Sequence, residues 1–246
     1  MFRSVIYIVV ASVLATQFSD ANVVKIKPRA ASIAPFSLYD DALVKLGELK
    51  QTVKAAILAG HTQLDDARQA SINYGDDESE KAKVQIQSEA TKIDGYVQDM
   101  VNLVLSVGQS PGPCLRLYQP QIDQILYDAL SGLQSCVVGV NQQVNQVYND
   151  GIRDIDATNS KVAEDEAQLQ ACSSTGSILC VSPVVRQIDA HKIELPQIID
   201  SAVHNTIPLI ETTTNQVDGC TSTSISQFVT DGNIALTVLQ QCLDSL

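Results

Sequence analysis

The chain has 246 residues, a formal net charge of −12, six cysteines and no tryptophan. Such acidity repels phosphate backbones and anionic lipid, which argues against nucleic acid and electrostatic membrane partners. With 4% aromatic residues the core has to be Ala, Val, Leu and Ile, which suit close helix packing better than a cage for a flat or cationic ligand.

Residues 1–21 read as a secretory signal peptide. Arg3 is a short basic region, Val5 to Ala15 an apolar run, and Ser19-Asp20-Ala21 a small-x-small cleavage site. The run is well short of the roughly 20 apolar residues a spanning helix needs. No later stretch is long and apolar enough to span, so the sequence predicts a secreted, extracellular protein with no membrane span after signal cleavage. In an oxidising compartment, six cysteines without a C-x-x-C pair predict disulfides. No Asn-x-Ser/Thr sequon occurs, and the Thr212–Thr214 and Thr221–Ser224 runs read as polar loop or, alternatively, as carriers of O-glycans.

Asn22 to Pro35 is a slightly basic lead with two prolines, expected to be loosely ordered. From Ser37, a plausible N-cap, Leu38, Ala42, Leu46, Leu49 and Val53 recur at three- and four-residue steps, the period of an amphipathic helix. Asn73-Tyr-Gly-Asp-Asp77 predicts a turn, with Asp77 and Glu80 spaced as a capping box. A second helix then runs to about Val107. Residues 22–112 are thus expected to form a cysteine-free helical hairpin.

Gly108-Gln-Ser-Pro-Gly-Pro113 breaks the pattern and marks the boundary of a six-cysteine domain, residues 113–246. The acidity is concentrated there: residues 114–246 hold 5 Lys/Arg against 15 Asp/Glu, while residues 22–113 hold 10 against 12. From Tyr118 to Ile155 the helical rhythm persists for many turns, thinning towards Cys172. Ser173 to Ser177 is the turn. The return arm is less regular: Pro183 opens it, Pro196 restarts it, Pro208 kinks it and Gly219 to Ser224 interrupts it, before a last helix from about Ile225 to Leu243. No period-2 strand is present, and the fold class expected is all-α, an elongated antiparallel bundle.

The cysteines pair from the outside inward. Their numbers add to 356 for Cys114 with Cys242 and for Cys136 with Cys220, and to 352 for Cys172 with Cys180; the gaps 114→136 and 220→242 are both 22 residues. In a helix, 22 residues advance about 33 Å and return to nearly the same face. A disulfide needs its Cα atoms within about 7 Å, which two antiparallel arms satisfy at matched heights. Of about 15 possible pairings, this nested set closes with the least distortion.

Cys114-Leu-Arg-Leu-Tyr118, a helix to Cys136, then Cys172, Cys180, Cys220 and Cys242 resemble the cysteine-bearing domain of the TsetseEP family of secreted insect proteins, over about residues 112–244. The resemblance implies an extracellular protein of insect gut or body fluid with no assigned catalytic residues. The Glu-Pro repeat tail of the family's namesake is missing, so a role tied to that tail does not carry over.

No catalytic, cofactor or metal site emerges from the motifs. Gly108-Gln-Ser110-Pro-Gly112 matches G-x-S-x-G, yet Pro111 has no N–H for an oxyanion hole and no strand precedes it. His61, His191 and His204 lack the spacing of a metal site. Asp154-Ile-Asp156 begins like a calcium loop, but Asn159 replaces the glycine and Asp165 the glutamate. Asp65-Asp66 and Glu164-Asp165-Glu166 read as solvated helix faces. Two functions fit: a non-enzymatic structural or interaction protein acting on a protein partner, or a helical carrier for a small apolar ligand such as a lipid, the latter suggested by abundant apolar stripes.

Overall fold

A computed structural model describes residues 35–174 and 177–246, so the segment read as a signal peptide and most of the basic lead lie outside the described residues, as does part of the turn at 173–177. Within the described residues there are five α-helices and no strand: α1 (Pro35–Ser106), α2 (Gly112–Asp156), α3 (Thr158–Ala171), α4 (Ile178–Thr214) and α5 (Gln216–Asp244). The all-α expectation holds. The helices form three long arms, α1, α2–α3 and α4–α5, side by side in an up-down-up bundle.

The N-terminal hairpin does not exist: α1 is a single helix of 72 residues, roughly 110 Å long, which passes straight through Asn73–Asp77. Composition suggested a turn there, but Gly75 sits on the buried face. A Cβ on it would lie 3.4 Å from Asn141 Oδ1 and 3.7 Å from Val217, ordinary contact distances, so the position packs against both other arms. The acidic run that follows is solvated, with Lys81 paired to Glu78 and Lys83 to Glu80.

The return arm is also more regular than its prolines suggest. α4 continues through Pro183, Pro196 and Pro208, and Gly219–Ser224 lies inside α5. Pro208 is exposed and Pro196 half-buried. The carbonyls that each proline leaves without a helical donor therefore sit near water, which lowers the cost of the lost bond. Within the second and third arms the helix is interrupted only at Ala157 and Asn215. There the backbone still bonds in helical fashion, Ala157 N–H to Arg153 at 3.0 Å and Asn215 N–H to Glu211 at 3.0 Å. The α1–α2 boundary falls where expected. Gly108 takes φ +79°, while its N–H bonds Leu105 and the Gln109 N–H bonds Val104, the pairing of a Schellman C-cap.

The buried positions recur every eleven residues. In α1, Ala42, Val53, Leu64, Gly75, Ile86 and Val97 are all buried; so are Tyr118, Ala129, Val140, Gly151 and Val162 in the second arm, and Val184, Leu195, Thr206, Val217, Phe228 and Leu239 in the third. Eleven residues in three turns is about 3.67 per turn, so such a stripe drifts little around its helix, and the arms need no left-handed coil to stay in contact. Two apolar clusters divide the core along its length. One joins the C-terminal half of α1 to α2 and α5; the other joins its N-terminal half to α3 and α4.

Candidate functional site

The three nested disulfides are formed. Cys114–Cys242 and Cys136–Cys220 each cross from α2 to α5 with Cα atoms 5.8 Å apart, and Cys172–Cys180 closes the other end with Cα atoms 5.6 Å apart. The 22-residue gaps are two eleven-residue repeats, so each cysteine returns to the same face of its helix. Polar contacts keep the same register. Lys45–Asp189, Lys192–Glu48 and Tyr74–Asp218 all join α1 to the third arm at a separation of 144 residues, on both sides of Asn215. Lys50–Glu166 and His61–Asp156 tie α1 to the antiparallel second arm.

The Cys136–Cys220 rung lies in an open groove between α2 and α5 with a volume of about 870 Å³. Ala129, Val140, Cys220 and Phe228 form its buried floor. Its sides are unusually low because Gly132, Gly139 and Gly219 line it; a Cβ on any of the three would meet nothing within 4 Å. Asp128, Gln143, Gln216, Gln227 and Asp231 are among its other lining residues. A smaller groove of about 410 Å³ lies between α1 and α5, lined by residues including Glu78, Lys81, Thr221 and Ser226.

The residues singled out for chemistry are dispersed. Ser110 follows a helix, not a strand. Asp154 and Asp156 are in α2 and Asn159 in α3, so no calcium-type loop forms around them. His61 pairs with Asp156 at 3.0 Å, His191 with Asp165 at 2.7 Å, and His204 is exposed on α4. Among the described residues, no group of three or more His, Cys, Asp or Glu is placed to hold a metal ion, and no helix is long and apolar enough to cross a membrane.

Asp165 corrects the sequence reading of a solvated face: it is fully buried. Its carboxylate accepts from Gln187 Nε2 at 2.8 Å and pairs with His191 Nδ1, so two α4 side chains satisfy a charge that burial alone would penalise. The signal was present in its phase, since Asp165 falls between Val162 and Leu169 on the buried stripe. Two polar stretches are likewise helical rather than loop: Thr212 and Thr213 bond back to Pro208 and Leu209, and Thr214 is buried against Ser71. Tyr118 buries a hydroxyl without a hydrogen-bond partner. Burial, with Asp94 adding to it, pushes this phenol up from 10.0 to about 12.

No protein-family model matches the chain, and no curated protein or solved structure matches it.

Proposed function

We propose that the protein is a secreted, non-enzymatic rod that works through contacts with other proteins in an extracellular fluid. The observation carrying this reading is the close approach of the arms inside a long, sulfur-bridged bundle. A Cβ at Gly60 would lie 3.1–3.2 Å from Ile155, Ile199 and Val203, and one at Gly151 only 2.7 Å from Thr206. At both places a glycine is where a neighbouring arm closes in, which favours a scaffold over a container. Three disulfides and the resemblance of residues 112–244 to the TsetseEP domain support the extracellular setting.

The test is native mass spectrometry of the protein purified from its source. The expected mass is that of the processed chain with three disulfides and no stoichiometric small molecule. A one-to-one lipid adduct that survives purification would overturn the contact reading in favour of a carrier.

A further inference from the structure

We propose that the Cys136–Cys220 bond is a thiol–disulfide exchange site, open to cationic and neutral thiols and guarded against anionic ones. Access is the first argument. Each bridge has one buried cysteine, Cys114, Cys220 or Cys172; of their partners Cys136 is exposed, whereas Cys242 and Cys180 are half-buried. Gly132 and Gly139 stand four residues before and three after Cys136 on the same face, and neither has a side chain to overhang it. The groove leads from solvent to this bond.

Charge is the second argument. Asp128 and Asp231 line the groove on its two sides, and α1 supplies no residue to it. Neither 117–152 nor 216–246 contains a Lys, Arg or His. An incoming thiolate therefore meets uncompensated negative charge, and each further negative charge on the reagent adds repulsion.

The exchange proceeds in two displacements. A small thiolate attacks Cys136 Sγ in line with the disulfide; the bond to Cys220 Sγ breaks, and Cys220 leaves as a thiolate that takes a proton from water. A second thiolate then attacks the reagent's sulfur in the mixed disulfide, releasing the reagent as its disulfide and Cys136 as a thiolate, protonated in turn. Two external thiols are oxidised and one protein disulfide is reduced. Cys114–Cys242 still ties α2 to α5, so opening the rung loosens one stretch of the seam without separating the arms.

The experiment treats the oxidised full chain with limiting cysteamine, 2-mercaptoethanol or mercaptoethanesulfonate, whose attacking thiolates are zwitterionic, singly and doubly negative. Aliquots are alkylated and peptide-mapped, and rates are normalised to thiolate concentration and to a neutral small-molecule disulfide. Cys136 and Cys220 should be labelled at least about tenfold sooner than the other four cysteines. Cysteamine should outpace the sulfonate by roughly threefold or more at low salt, a preference erased in Asp128→Asn/Asp231→Asn. Gly139→Leu should slow this rung while leaving the helical circular-dichroism signal unchanged. First labelling at Cys172 or Cys180, or simultaneous labelling of all six, would overturn the site. A charge preference that survives in the double Asn variant would overturn the guard.

Discussion

Tyr118 shows how one side chain can sit well in the core and still carry a cost. It is 3% exposed, yet its hydroxyl has no partner. A buried, unmade hydrogen bond costs about 1–3 kcal/mol, so Tyr118→Phe is expected to stabilise the protein by about 1 kcal/mol, read as a higher melting temperature; a lower one would refute this account. The same burial makes stability depend on alkaline pH. A phenol raised from 10.0 to about 12 is favoured neutral in the folded state, so its contribution is intact below pH 10 and is lost as pH rises towards 12. Tyr74, raised to about 12 chiefly by the hydrogen bond it donates to Asp218, acts in the same direction. Denaturant titrations at rising pH should show stability falling across this window, and less steeply in Tyr118→Phe. Asp165 teaches the matching lesson about legibility. Its neighbours Glu164 and Glu166 made it look like surface, because composition is blind to phase; only the spacing from Thr158, Val162 and Leu169 places it inside.

At the level of the helix, glycine is the residue whose meaning depends most on place. Gly151 lies where α2 meets α1 and α4, and an added Cβ would sit 2.7 Å from Thr206 and 2.9 Å from Leu64. Gly151→Ala should destabilise by about 1–3 kcal/mol through overpacking. Gly95 is exposed in α1 with nothing within 4 Å, so Gly95→Ala should instead stabilise by about 0.5–1 kcal/mol through helix propensity. Opposite signs in chemical denaturation are the check; equal signs would mean that packing at Gly151 is looser than described. This context dependence explains what the sequence concealed. Asn73-Tyr-Gly-Asp-Asp77 carries turn residues in a helix because Gly75 packs against the adjoining arms while its polar neighbours face solvent. The prolines of α4 looked like breaks because their outward placement depends on that arm's rotation. The Gly108 boundary was legible because a Schellman cap is local chemistry.

Across the whole molecule, the hairpin of the second and third arms was readable because sulfur pairing records relative height directly. α1 has no cysteine, and nothing in its own pattern says where along the other arms it lies. Its register rests on side chains such as Lys45 and Tyr74, whose partners are 144 residues away. The bridges themselves differ in reach. Cys114–Cys242 encloses 128 residues and Cys172–Cys180 only 8. On chain-entropy grounds, and with the nested Cys136–Cys220 bridge already shortening the outer loop, replacing the first pair with alanines should cost about 4 kcal/mol and the second about 2.5 kcal/mol. Guanidinium unfolding of the two double variants tests that order, and equal losses would point to native-state contacts rather than restriction of the unfolded chain. The shared eleven-residue repeat also sets the increments by which such a molecule can change size. Excising one repeat from each arm would shorten the rod by about 16 Å and return every stripe and sulfur to its mate. The same cut in the second or the third arm alone would strand the bridges a full repeat apart, and in α1 alone it would break the shared register of its stripe, so length here can be edited only in concert.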